Sequence, residues 1–205
     1  MDPLSVAILA GGKSRRMGQD KAQLRIGRRT LLEIVAARVR PVATELFVVA
    51  TNGSRFSELG FRVVADIVDD AGSLGGIYSA LKSAAFDHCL VVGCDMPMLN
   101  PDLLKFMAAE PRDYDALVPV HASTQSQQVT YETLHAIYAQ SAVPVIERRI
   151  FAGKLKIADL LDDLTVREID ESTLRRYDPD LHSFHNANTP DDFASIERMM
   201  LTTDQ

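Results

Sequence analysis

The chain is poor in cysteine and has no long apolar run. Only Cys89 and Cys94 occur among its 205 residues, too few for a disulfide scaffold. They bracket the apolar stretch Leu90-Val91-Val92-Gly93, which reads as a buried strand. Five residues of strand span roughly 16 Å, far beyond the roughly 7 Å limit between bridged Cα atoms, so no bridge is expected. Their spacing is also not the Cys-x-x-Cys of zinc or thioredoxin chemistry. No apolar run approaches the ~18 residues of a membrane helix. The start lacks the basic segment and long apolar stretch of a secretory signal, so a cytoplasmic location is expected. There is no internal repeat and no low-complexity stretch. The five histidines, His88, His121, His135, His182 and His185, show no metal-ligand spacing.

What is present is the composition of one globular domain: 46% hydrophobic and 24% charged residues. The net charge of −6 argues against nucleic acid or an anionic membrane as partner. That charge is uneven. Residues 1–40 carry nine Lys/Arg against three Asp/Glu, a balance that points to an anion meeting this segment.

Apolar β-rich runs alternate with helical patterns. Leu4–Leu9, Leu46–Ala50, Arg62–Ala65, His88–Gly93 and Ala116–Val120 read as strands. Thr30–Arg40, Gly76–Ala85 and Pro101–Ala109 read as helices between them, the last with Asn100 as cap and Pro101 in its first turn. Uniformly apolar strands separated by helices indicate a parallel sheet covered on both faces. The fold class is α/β, doubly wound and mostly parallel, in a single domain over residues 1–200. Further on, Thr133–Phe151 reads as a helix broken at Pro144, Lys156–Leu161 as a short helix and Thr165–Ile169 as a strand. Thr189-Pro190-Asp191-Asp192 opens a last helix, and a tail at 201–205 is expected to fray.

The strongest signal is Leu9-Ala10-Gly11-Gly12-Lys13-Ser14-Arg15-Arg16-Met17-Gly18-Gln19-Asp20-Lys21. It follows the first strand directly. Successive backbone N–H groups in a glycine-rich loop form an anion nest, and four cations lie within it. In open α/β sheets such a loop sits at the carboxyl edge, where ligands bind. Phosphate is the indicated ligand. The Walker A spacing fails, because its first glycine falls on Ala7. The dinucleotide fingerprint fails as well, because Lys13 and Arg16 stand where it needs glycine.

This loop resembles the signature Leu-Ala-Gly-Gly-x-Ser-x-Arg-Met-Gly-x-Asp-Lys of molybdenum cofactor guanylyltransferases, a group within the Rossmann-like nucleotidyltransferases. The resemblance continues at Asp66, at Gly72-Ser73-Leu74-Gly75-Gly76-Ile77, at Cys94-Asp95-Met96-Pro97 and at Asn186-Ala187-Asn188-Thr189-Pro190, in family order. It implies transfer of GMP from GTP to the terminal phosphate of molybdopterin, with release of pyrophosphate. It also implies a nucleotide-binding part at 1–120 and an acceptor-side part at 121–200.

By the same resemblance, Leu9, Ala10, Gly11, Gly12, Lys21, Asp66 and Asp95 bind the nucleotide. Arg16, Lys21 and Asp95 serve the transfer, and Asn186 and Asn188 lie toward the acceptor. Asp95, directly after an apolar strand, is the expected Mg²⁺ ligand; alone, an Asp before a turn would read as a cap. Leu74-Gly75-Gly76 reads as a helix start favouring an anion. The family's Gln-Pro-Leu element is replaced here by Glu132-Thr133-Leu134. A cytidylyltransferase for the same acceptor, another small-molecule nucleotidyltransferase and a non-catalytic binding protein remain alternatives. Proteins that hand over the cofactor are partners implied by the family.

Overall fold

The structure is a computed structural model that describes residues 2–10, 21–51, 56, 60–68, 70–122 and 129–203. Its centre is the strand β1 (Ser5–Leu9), whose five residues are all buried. A strand of small and branched apolar residues with no polar face must be covered on both sides. Here it is. β1 pairs in parallel with β4 (Glu45–Val49) on one flank and β6 (His88–Gly93) on the other. Between β1 and β4 the chain forms a small hairpin, β2 (Arg25–Ile26) with β3 (Arg29–Thr30), turned at Gly27 with φ +59°. β5 (Arg62–Val64) extends the sheet beyond β4.

Past β6 the sheet continues through β9 (His135–Ala139), β7 (Ala116–Ala122) and β10 (Val166–Ile169), giving the order β10-β7-β9-β6-β1-β4-β5. A short strand, β8 (Val129–Tyr131), folds back on the end of β7. All strands in that order run parallel except β9, which is antiparallel to both of its neighbours.

Alternate residues of each strand feed two cores. Val6, Ile8, Val48, Leu90 and Val92 face the helices α1 (Leu31–Val39), α3 (Pro101–Ala109) and α5 (Glu171–Tyr177). Ala7, Leu9, Phe47, Val49 and Val91 face α2 (Gly72–Ser83), α4 (Val143–Phe151) and the 3₁₀ turns at Ala158–Asp163. The helix starts follow local chemistry. Thr30 and Glu33 form a reciprocal capping box on α1, and the Asn100 side chain accepts from the N–H groups of Asp102 and Leu103. The last helix, α6 (Pro190–Thr203), continues past residue 200, where the sequence reading placed a fraying tail.

The segment 133–151 differs from its sequence reading. It is not one broken helix. Its first part is the buried strand β9, and a 3₁₀ turn at Gln140–Ala142 leads into α4. Pro144 stands in the first turn of α4 and starts it, because the missing N–H has no helical partner there. The α2 helix begins at Gly72, four residues earlier than expected, so Gly75 and Gly76 lie in its second turn and not at its start. The short helix expected at Lys156–Leu161 is the 3₁₀ stretch beginning at Ala158. Cys89 and Cys94 are buried and form no disulfide. Among the described residues, no helix is long and apolar enough to cross a membrane.

His135, at the start of β9, is fully buried, and neither ring nitrogen has a hydrogen-bond partner among the described residues. Burial holds its pKa down to about 4, against a smaller upward pull from Asp178. Unfolding restores a pKa of about 6.5, so between these values the unfolded chain binds the extra proton. Stability conferred by neutral His135 is therefore complete above pH ~6.5 and is lost as the pH falls toward 4. The loss should approach about 3 kcal/mol. Denaturant unfolding of the wild type and of His135→Leu at pH 7 and pH 4.5 checks this. The wild type should lose more stability between the two, and equal losses would refute the assignment.

Candidate active site

The connection after β1 leads to β4 on one side and the connection after β6 leads to β7 on the other, so the carboxyl ends of these adjacent strands form a switch point, where a crevice opens. The end of β1 is tied there to β6 on one side and to β4 on the other. The Cys94 N–H donates to the Leu9 carbonyl at 3.1 Å, and the Ala10 N–H donates to the Val49 carbonyl at 2.9 Å. Asp95 follows at once. Its Oδ2 accepts from Lys21 Nζ at 2.9 Å, and the same ammonium donates to Asn188 Oδ1 at 2.8 Å. Three residues far apart in sequence thus converge on one point, with the Lys21 and Asp95 side chains only 16% and 22% exposed.

Each is placed by its own local structure. Lys21 opens a single 3₁₀ turn, Lys21–Gln23, closed by the Leu24 N–H on the Lys21 carbonyl; Leu24 in turn accepts from the N–H of Leu31, at the head of α1. Asn188 follows buried Ala187, whose N–H donates to the Asp95 carbonyl at 2.9 Å. A small apolar cluster of Ile26, Leu31, Ile34, Ala187 and Ile196 fastens α6 to the hairpin and α1. Thr189 and Asp192 cap α6 reciprocally, so Thr189 serves the helix while Asn188 serves the site.

Glycines make room for this arrangement. A Cβ on Gly93 would lie 2.6 Å from Asp95 Oδ1. Only glycine at that position leaves the carboxylate where it is. A Cβ on Gly76 would come within 3.0 Å of Leu9 Cδ1, and one on Gly75 within 2.8 Å of the Ala71 side chain. The Gly75-Gly76 pair is therefore a close-packing device between α2 and the sheet edge. It is not the anion-binding helix start that its sequence suggests. One turn later, buried Ser79 reaches Asp66 Oδ1 at 2.7 Å and accepts from the Ile67 N–H at 2.8 Å. Asp66 is thereby fixed beyond β5, two strands along the edge from β1.

Of the residues expected from sequence, Leu9, Ala10, Lys21, Asp95 and Asn188 meet at the switch point. Asp66 stands farther along the same edge. Asn186 touches neither charge; its Oδ1 is buried without a partner among the described residues. Gly11, Gly12 and Arg16 lie outside the described residues. Sequence reasoning missed the roles of Gly93 and Ser79. It also missed a pair at the other end of the edge, where His121 Nε2 meets Glu132 Oε1 at 2.9 Å. The only signal for that pair was the substitution at Glu132.

The Asp95 carboxylate already faces one cation. With glycine behind it and an amide oxygen beside it, this is a hard-oxygen setting of the kind Mg²⁺ occupies through one or two carboxylates. Gly93→Ala should turn the carboxylate away at little cost to folding, since the clash is with the end of a movable side chain. Turnover should fall by about tenfold or more, with a melting temperature lowered by no more than a few degrees. Nucleotide-transfer assays beside thermal unfolding check this. Full activity in the variant would show that the position of Asp95 is not critical.

Comparison with known proteins agrees with the geometry. Residues 6–167 match the family model of the MobA-like NTP transferase domain. The chain is 38% identical over 195 residues to a protein of Pelotomaculum thermopropionicum named probable molybdenum cofactor guanylyltransferase, covering 94% of this chain and 91% of that one. It is 33% identical to the molybdenum cofactor guanylyltransferase of Desulfosudis oleivorans, covering 96% of each. The crystal structure of molybdopterin-guanine dinucleotide biosynthesis protein A from Archaeoglobus fulgidus superimposes with a TM-score of 0.82 at 32% identity, covering 97% and 99% of the two chains. With the family model matched from β1 into the first half of β10, and relatives alike over nearly their whole length, this chain belongs to the MobA-like NTP transferases.

Proposed function

We propose that the protein transfers GMP from GTP to the terminal phosphate of molybdopterin, forming the guanine dinucleotide cofactor and releasing pyrophosphate. The observation that carries this reading is the convergence of Lys21, Asp95 and Asn188 beyond β1 and β6. The names borne by the relatives support the choice of substrates.

The chemistry asks little acid–base work of the protein. A phosphate monoester has a second pKa near 6, so the acceptor is mostly dianionic at neutral pH. One of its oxygens attacks the α-phosphorus of GTP, the α–β bridging bond breaks, and pyrophosphate leaves with that electron pair. Positioning and charge neutralisation are what remain. An ammonium has three N–H donors. Lys21 spends two on Asp95 and Asn188, and the third serves a phosphoryl oxygen. Asp95 would hold Mg²⁺, which when bound neutralises phosphate charge. Asp66, steadied by Ser79, faces the nucleoside, while Gly11, Gly12 and Arg16 serve the triphosphate. Asn186 and Asn188 lie on the acceptor side, in the part of the chain after residue 120. The setting for this work is the cytoplasm, with cofactor-delivery proteins as partners.

The test follows pyrophosphate release with a panel of nucleotides and molybdopterin. GTP should exceed CTP by about 10-fold or more, the scale of one or two hydrogen bonds to a base edge. Equal turnover of both would exclude guanylyl specificity. Asp95→Asn preserves size and capping ability but removes charge. It should lower turnover by at least ~10²-fold in a folded protein while GTP binding suffers less. Near-normal turnover would remove the metal assignment.

A further inference from the structure

The nucleotide-binding residues occupy the β1, β4 and β5 end of the sheet edge. The edge continues past Asp95 through β9 and β7, and its side chains there are not used by the transfer described above. His121, near the end of β7, and Glu132, in the turn between β8 and β9, form a hydrogen-bonded pair with both side chains about 85% buried. The turn is fixed to the sheet, for the Glu132 N–H donates to the Pro119 carbonyl and Gly93 donates to Leu134. Phe184 stacks on the His121 ring at 5.1 Å and 18°, and lies 5.1 Å from the ring of His135.

One stretch of chain joins this pair to the switch point. Phe184 packs on His121, the Ala187 N–H holds the Asp95 carbonyl, and Asn188 holds Lys21. From Phe184 to Asn188 the chain can span at most about 14 Å. The stretch itself is rigidly seated. Both oxygens of buried Asp178 accept backbone N–H groups, from His182 and Ser183, and the Ser183 hydroxyl accepts from the Asn100 N–H.

Donor and acceptor roles within the pair are constrained. His121 Nδ1 lies 3.1 Å from the Ala122 carbonyl, which can only accept, so Nδ1 carries a proton. Nε2 faces Glu132 Oε1. One further proton must therefore sit between Nε2 and Oε1, on whichever of the two. Both ring nitrogens and Oε1 are then fully engaged. Glu132 Oε2 has no hydrogen-bond partner among the described residues, and in either form of the pair it is an acceptor only. Burial raises the pKa of this carboxyl, opposed by the hydrogen bond and charge of His121. With Oε1 taken by His121, Oε2 is the acceptor of the pair left for a ligand at this edge.

We propose that Glu132, oriented by His121 and flanked by Phe184, is a specificity-determining residue for the acceptor, its Oε2 receiving hydrogen bonds from N–H groups on the acceptor's heterocycle. The inference rests on the reading of molybdopterin as acceptor. The 2-amino-4-oxopyrimidine ring of a pterin presents adjacent N–H donors of the kind this oxygen needs, and the phosphate at the other end of the molecule is the group that must reach Asp95. An acceptor lying along the 184–188 stretch meets both requirements.

Steady-state kinetics with purified full-length protein, GTP and molybdopterin test the assignment. Glu132→Ala should raise the acceptor KM by about 10-fold or more, with the GTP KM within about twofold of wild type. Glu132→Gln keeps an acceptor oxygen in place and should stay within about threefold. Glu132→Met, which keeps the volume without the oxygen, repeats the measurement should the alanine variant unfold. If the pair only pins the β8–β9 turn, its loss lowers the melting temperature and moves both KM values alike or neither. That result, or an equal rise in the alanine and glutamine variants, would overturn the proposal. Absence of pyrophosphate release by the wild type would instead overturn the reading of function beneath it.

Discussion

The register of β1 against its two neighbours is the constraint on which everything else in this molecule depends. Leu9 stands opposite Val49 on one side and Gly93 on the other. That pairing puts the end of β1, the Asp95 turn and the end of β4 at one level. It also turns Ala7 and Leu9 toward α2 while Val6 and Ile8 turn toward α1 and α3. A slip of one residue would exchange these two sets. Both faces are packed with side chains of different size, so the slip would leave cavities on one side and clashes on the other. Rigid placement of the site is a by-product of a core that tolerates one register.

Around that fixed edge the protein distributes a few polar groups with little redundancy. Lys21 and Asp95 are mostly withdrawn from water, and each compensates the other. An exposed pair contributes about 0–1 kcal/mol, whereas removing one member of a buried pair leaves the other uncompensated and costs several times as much. This pair lies between those limits, so its value to folding is modest. Its value to chemistry is position. The His121–Glu132 pair has the same character at the far end of the edge, and the stretch from Phe184 to Asn188 spans the interval between them. Asn188 shows how closely structure and site are joined here: its neighbour Thr189 caps α6, and its own amide oxygen holds Lys21.

Much of this was legible in the sequence because the decisive signals were local. The run Ser5–Leu9, Asp95 after an apolar strand, and Pro190 behind Thr189 each carry their meaning within about ten residues. His135–Ala139 was not legible. Five consecutive apolar or buried residues satisfy a strand and a helix equally, and only pairing with Val92 and Leu90 on β6 decides for the strand. Pro144 then looked like a break in a helix that in fact has it in its first turn. Gly75-Gly76 looked like a helix start because the αL residue that opens α2, Gly72 at φ +58°, lies three positions earlier. Ser79 and the His121–Glu132 pair are contacts across loops or strands. No spacing rule announces them.

The Lys21–Asn188 contact bridges 167 positions of sequence, and Lys21–Asp95 bridges 74. Synthesis proceeds from the amino end, and local contacts form before distant ones. A nascent chain can pair β1, β4, β5 and β6 and bury most of two cores before Asn188 exists. During that interval Lys21 and Asp95 have each other but not Asn188. The catalytic edge is therefore the last part of the fold to become exact, and a partly made chain carries the sheet edge before it carries the whole constellation.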